Sequence, residues 1–233
     1  MKNKIDRIIV ALDQMSLEEI DTFLSQKNNS ISIVKIGLEL FLKHGRELVI
    51  KINSQYNKRI FLDLKLHDIP VTVEKAIASL AGLPIDFLTV HLSGGSSMLE
   101  AAIKSRDTHI PNCKILGVSF LTSLESQDLK QLFGIDDTDA AFTRLFKIAD
   151  KCAIDGVVCS PHEVGLLKSK HCKLLAVTPG IRFQDEIENS IVQDQKRVMD
   201  PLRAMALGAD YLVMGRSLTK ASNLSERLSY LSQ

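Results

Sequence analysis

The sequence predicts an α/β protein, a single-domain (β/α)8 TIM barrel spanning residues 1–233, and three observations carry that prediction. Short apolar runs of strand length recur along the chain, segments of helical spacing separate them, and charged or hydroxyl-bearing residues gather where the runs end. The runs mostly start roughly 25 to 30 residues apart, which leaves room for one strand, one helix and two short loops per unit. Runs that are apolar on both faces call for a parallel sheet covered by helices. About eight such units favour a closed barrel over an open doubly wound sheet, and no G-x-G-x-x-G follows the first run.

Taken in order, the expected strands are RIIVALD (7–13), SIVKIG (32–37), RIFLDLKL (59–66) and FLTVHLS (87–93). They continue with KILGVSFLT (114–122), GVVCS (156–160), KLLAVTPG (173–180) and YLVMGR (211–216). Each has strand length, and several are rich in β-branched residues. Between them, SLEEIDTFL opens with Ser16 and Glu19 in a capping-box pattern. LELFLKHGRELVIKI, VEKAIASLAG, SMLEAAIKS and AAFTRLFKIADKC place apolar residues three and four apart, as a helix face requires. PLRAMALGA begins with Pro201 as a first helical residue. The polar segment 181–200 is long for a loop and is a candidate lid.

Composition narrows the function. With 29 Lys plus Arg against 28 Asp plus Glu, no overall field favours nucleic acid or an anionic membrane, and the absence of Trp leaves little for base stacking. The N-terminal apolar run is too short for a signal-peptide core or a membrane span, so a soluble cytoplasmic protein is expected. Cys113, Cys152, Cys159 and Cys172 form no C-x-x-C pair and read as four buried thiols in a reducing compartment. No cluster has Cys/His ligand spacing, so no metal site is expected.

Catalytic groups of a barrel come from the C-terminal ends of its strands. There the chain carries Asp13 on strand one, Lys35 on strand two, Asp63 and Lys65 on strand three, His91 on strand four and Thr122 at the end of strand five. Side chains alternate along a strand, so Asp63 and Lys65 share a face with Phe61, while Leu62, Leu64 and Leu66 turn to the helices. An internal ion pair is the plain structural reading of Asp63 and Lys65. Asp13 and Lys35 on neighbouring strands favour a reaction centre, because alternating Asp and Lys lets all four stay ionised. TPGIR (178–182) and MGRSLTK (214–220) follow strands seven and eight, the usual phosphate site of this fold. Gly180 and Gly215 permit close backbone approach, and Arg182 and Arg216 add charged hydrogen bonds. His67 and His91 read as structural, and Asp68 before Ile69-Pro70 reads as a helix cap.

These residues, in this order, resemble the orotidine 5′-phosphate decarboxylase family. The likeness runs through VALD (10–13), VKIGLELF (34–41), FLDLKLHDIP (61–70), VHLSGG (90–95), LTS (121–123), DGVVCS (155–160), VTPGIR (177–182), DQKRVMDP (194–201) and VMGRSLTK (213–220). The D-x-K-x-x-D at 63–68 is shared with a sugar-phosphate decarboxylase and synthase relative, so it defines only the wider group. The resemblance implies cofactor-free decarboxylation of orotidine 5′-phosphate to UMP. Lys65 would donate the proton and Asp63 would sit by the substrate carboxylate, holding Lys65 together with Lys35. Asp13 and Lys35 would bind ribose, and Thr122 would lie by the pyrimidine. Pro179 belongs to the substrate-binding set, Gln195 would reach over ring and phosphate, and Arg182, Gly215 and Arg216 would grip the phosphate. Asp68, followed by Thr72, would enter the partner subunit's site, which implies a homodimer. Val71, Leu92 and Ser119 stand where the family often has Asn, a small residue and Thr, and none of these removes a charge or a phosphate contact. The alternative within the same group is a metal-dependent sugar-phosphate decarboxylase or aldolase with an acid on strand two. Lys35 opposes that reading and Glu39 keeps it open.

Overall fold

The computed structural model describes residues 4–27, 29–188 and 197–232. Within them, eight parallel strands close into a barrel in chain order, β1 pairing with both β2 and β8. The strands are β1 (Ile8–Ala11), β2 (Ile33–Gly37), β3 (Arg59–Leu66), β4 (Phe87–His91), β5 (Lys114–Val118), β6 (Gly156–Val158), β7 (Leu175–Thr178) and β8 (Tyr211–Met214). Every expected apolar run supplies one strand, but several are shorter than the run. β1 stops at Ala11 and β5 at Val118, so Asp13 and Thr122 lie in the loops beyond. The loops, free of the ladder, are where side chains can turn over the barrel mouth.

The helices between strands are α1 (Leu17–Leu24), α2 (Leu38–Tyr56), α3 (Pro70–Ala78), α4 (Gly95–His109), α5 (Ser126–Phe133), α6 (Thr138–Lys151), α7 (Val164–Lys170), α8 (Gln184–Glu188), α9 (Pro201–Ala206), α10 (Arg216–Thr219) and α11 (Leu224–Ser232). Ser16 and Glu19 form the expected capping box of α1, and Asp200 caps α9 ahead of Pro201. The sequence pattern missed α5, α7, α8 and α11, whose short length gives few apolar repeats; α8 lies in the segment read as a loop. It also ran α2 straight through Gly45, where φ is 60° and the helix breaks.

Alternation divides the apolar residues into two cores. Ile8 and Val10 of β1 and Leu12 just beyond it, with Ile60 and Leu62 of β3 and their counterparts, pack outward against the helices. Ile9, Ala11, Ile33, Phe61, Phe87, Leu116, Val177, Tyr211 and Val213 fill the barrel interior. Phe87 is central to this interior layer, with Phe61 edge-on at 6.0 Å and Tyr211 at 5.2 Å. The layer floors the barrel, so polar groups placed above it are kept from the interior below.

The opposite end of the barrel is tied by a device repeated three times. Asp86, Asp155 and Asp210 precede β4, β6 and β8. Each accepts a hydrogen bond from a backbone N–H of the preceding strand, Ile60, Ile115 and Ala176 in turn. Arg59, Arg106 and Lys168 neutralise them at 2.7, 2.7 and 2.6 Å.

One cysteine departs from expectation. Cys113, Cys152 and Cys159 are buried, but Cys172 is exposed, because it lies in the turn after α7 rather than in the apolar run that becomes β7. Among the described residues no helix is long and apolar enough to cross a membrane.

Candidate active site

The C-terminal mouth of the barrel holds a cavity of about 280 Å³ lined by residues from the strand ends and the loops beyond. Asp13, Lys35, Asp63, Lys65, Thr122, Pro179, Arg182, Gly215 and Arg216 all line it, so the fold brings together nine residues expected from sequence. Gln14 and the apolar residues Ala11, Phe61, Val118, Phe120, Leu121, Val158 and Val213 complete the wall. The apolar members went unforeseen as site residues because their sequence signal is that of any inward strand position.

The charged groups form a chain of alternating sign. Asp13 receives both its bonds from Lys35, at 3.0 and 2.7 Å. Lys35 and Lys65 meet the same oxygen of Asp63, at 3.3 and 2.8 Å. The other oxygen accepts a hydrogen bond from the Thr89 hydroxyl at 2.9 Å. Burial pushes the Asp63 carboxyl upward, but Lys35 and Lys65, aided by hydrogen bonds from Lys65 and Thr89, outweigh it and leave its pKa below the ordinary carboxylate value. Gly37 makes room for this chain, since a β-carbon there would lie 2.3 Å from an Asp13 oxygen.

Lys65 sits on distorted backbone. Between Leu62↔Leu88 and Leu66↔Val90, four steps along β3 match two along β4, and Lys65 has φ 49°. A left-handed side-chain-bearing residue costs roughly 1–2 kcal/mol. Simple alternation predicted the shared face of Asp63 and Lys65 correctly, but it did not predict this bulge.

Across the mouth, Arg182 is buried and its guanidinium donates to the Ile181 carbonyl at 2.9 Å. Gly180 takes φ 78° in the turn before it, and Gly215 precedes α10. Arg227 of α11 braces the two loops. It lies over the Phe183 ring at 4.4 Å, pairs with Asp185 at 3.0 Å and Glu186 at 3.1 Å, and donates to the Ser217 carbonyl at 2.9 Å.

The remaining expected residues lie elsewhere. Asp68 and Thr72 are exposed outside the cavity wall. Asp68 does not cap α3: Ile69 holds the cap position without a side-chain bond, and Asp68 accepts from the Ile69 N–H at 2.7 Å. Gln195, and with it much of the candidate lid, falls outside the described residues. His67 and His91 stack at 5.0 Å apart. Burial, then the charges of His67 and Lys65, lower the His91 pKa. Glu39 is exposed on the first turn of α2 and lines no part of the cavity. Of the three departures, Leu92 packs over Gly117, Ser119 donates to the Val158 carbonyl at 3.0 Å, and Val71 is exposed.

Fold and site together define a barrel enzyme whose mouth sets two ammonium groups, Lys35 and Lys65, on one buried carboxylate, with Arg182 and Arg216 on the same cavity wall. The sequence profile of the "Orotidine 5'-phosphate decarboxylase / HUMPS family" matches residues 6–229. The chain belongs to this family. It is similar to the orotidine 5'-phosphate decarboxylase of Geobacillus sp. (strain WCH70), 42% identical over 225 residues covering 94% of this chain and 92% of that one. The corresponding Staphylococcus haemolyticus protein is 41% identical over 220 residues, covering 94% and 93%. In structure it is similar to orotidine 5'-phosphate decarboxylase from Lactobacillus acidophilus, with a TM-score of 0.79, 33% identity and 97% of each chain covered.

Proposed function

We propose that this chain decarboxylates orotidine 5′-phosphate to UMP and carbon dioxide, a step of pyrimidine biosynthesis, with Lys65 as the proton donor. The observation that carries the reading is the single Asp63 oxygen shared by Lys35 and Lys65 in the floor of the cavity. The bond from ring to carboxylate breaks and its electron pair stays on the ring carbon. That carbon then takes a proton from the Lys65 ammonium.

The geometry supports two contributions to rate. An ammonium already held in place meets the developing carbanion without reorganisation. Asp63, kept charged by its neighbours, faces the substrate carboxylate, and that repulsion is relieved as carbon dioxide leaves. Binding energy from the remote phosphate, through Arg182, Arg216 and the backbone at Gly215, offsets the crowding. Asp13 and Lys35 hold the ribose hydroxyls, Thr122 lies by the ring, and Pro179 belongs to the substrate-binding set.

The active unit in this reading is a cytoplasmic homodimer in which the whole chain, 1–233, acts as one domain and Asp68 and Thr72 complete the partner's site. What supports the dimer is the exposed run His67–Thr72, in which Ile69 is 62% and Val71 49% exposed. Apolar side chains displayed just after a functional carboxylate suit burial against a second copy.

The direct test is the fall in absorbance as orotidylate becomes UMP, followed with EDTA present. Turnover under those conditions is expected. An inert purified protein, or one active only with added metal, overturns the reading.

A further inference from the structure

We infer that Thr89 is a positioning residue for the proton donor, acting through both the backbone of Lys65 and the carboxylate of Asp63. The inference rests on the decarboxylase reading and deepens it. Thr89 is fully buried and stays outside the cavity wall, so it does not touch the substrate. Its place in FLTVH is an inward position, and the neighbouring inward residue of the same strand, Phe87, belongs to the apolar floor.

The hydroxyl fills the gap opened by the bulge. Where β3 loses register with β4, the Lys65 N–H donates to Thr89 Oγ1 at 2.8 Å. The same hydroxyl donates to Asp63 Oδ1 at 2.9 Å, while Asp63 Oδ2 receives Lys65 Nζ at 2.8 Å. An ionised carboxylate only accepts, so the one hydroxyl proton belongs to Asp63, and the oxygen lone pairs are left for the Lys65 amide. The result is a closed ring, Thr89 to Asp63 to the Lys65 ammonium to the Lys65 amide and back to Thr89. It holds the left-handed turn at Lys65 and aims the Asp63 carboxylate with one group.

Thr89→Val keeps the shape and removes both bonds, whereas Thr89→Ser keeps them. For Thr89→Val, kcat is expected to fall roughly 10- to 100-fold, the loss of bonds to a charged group. The dissociation constant for UMP should stay within about threefold, because phosphate and ribose contacts are untouched. Thr89→Ser should restore kcat to within about threefold of wild type. Should the valine variant fail to fold, Thr89→Cys, with a weak thiol donor, is expected to lose kcat selectively in the same way. A Val or Cys variant with unchanged kcat, a matching loss of UMP binding, or a Ser variant as impaired as Val overturns the inference. If wild-type protein itself does not decarboxylate orotidylate, the underlying reading fails instead.

Discussion

Replacing Asp63 by Asn removes the counter-ion that two lysines share while keeping nearly the same shape, and its cost follows from the geometry. Lys35 and Lys65 lie 3.3 and 2.8 Å from one Asp63 oxygen. At an effective dielectric near 20 these contacts are worth about 5 and 6 kcal/mol gross. Several kcal/mol of that offset the desolvation of a buried carboxylate. The Lys65 side chain is 39% exposed, so solvent screens its share, and Lys35 keeps Asp13 as a second partner. The net loss in unfolding free energy is therefore about 2–3 kcal/mol, at the lower edge of what breaking a buried pair costs.

The pH dependence has a definite sign. The folded-state pKa of Asp63 is depressed, so its stabilisation is present above the ordinary carboxylate value of about 3.9 and is lost as pH falls through the folded value. Urea unfolding of wild type and Asp63→Asn at fixed protein concentration, from pH 7 to pH 3, checks this. The gap should hold steady down to about pH 5 and shrink below about pH 4. A variant as stable as wild type at pH 7, or a gap that ignores pH, would refute the shared counter-ion.

Arg216→Ala should lower kcat/KM for orotidylate roughly 10- to 150-fold, one charge-assisted contact, and leave slow turnover of the phosphate-free nucleoside unchanged. Equal losses on both substrates would show that Arg216 acts elsewhere than on phosphate. Gly37→Ala places a carbon 2.3 Å from Asp13 Oδ1 and should force that carboxylate off Lys35, raising KM about tenfold. A crystal structure with the Asp13–Lys35 pair intact and KM unchanged would contradict it. Mixed Asp68→Ala and Lys65→Ala proteins should regain activity after subunit exchange, since each hybrid dimer has one intact site. No recovery after verified exchange would place Asp68 in its own subunit's site.

What the sequence determined by itself were the properties carried by local periodicity. Two-residue alternation put Phe61 and Asp63 inside and Leu62 outside, and three-to-four spacing marked the longer helices. The order of units implied a parallel barrel, and the barrel rule then gathered Asp13, Lys35, Asp63, Lys65, Arg182 and Arg216 at one mouth. Short helices such as α5 and α7 were not legible, because one or two turns repeat too few apolar positions.

Tertiary structure alone decided which atoms meet. That Lys35 joins Lys65 on one oxygen of Asp63, that β3 slips against β4 to turn Lys65 left-handed, and that Thr89 closes the ring all depend on neighbours 24 to 28 positions apart in the chain. The three aspartates tying Ile60, Ile115 and Ala176 depend likewise on residues brought near only when the sheet closes. A hydrogen bond is decided by tenths of an ångström, and those are set by how strands pair and close, not by the spacing of residues along one strand.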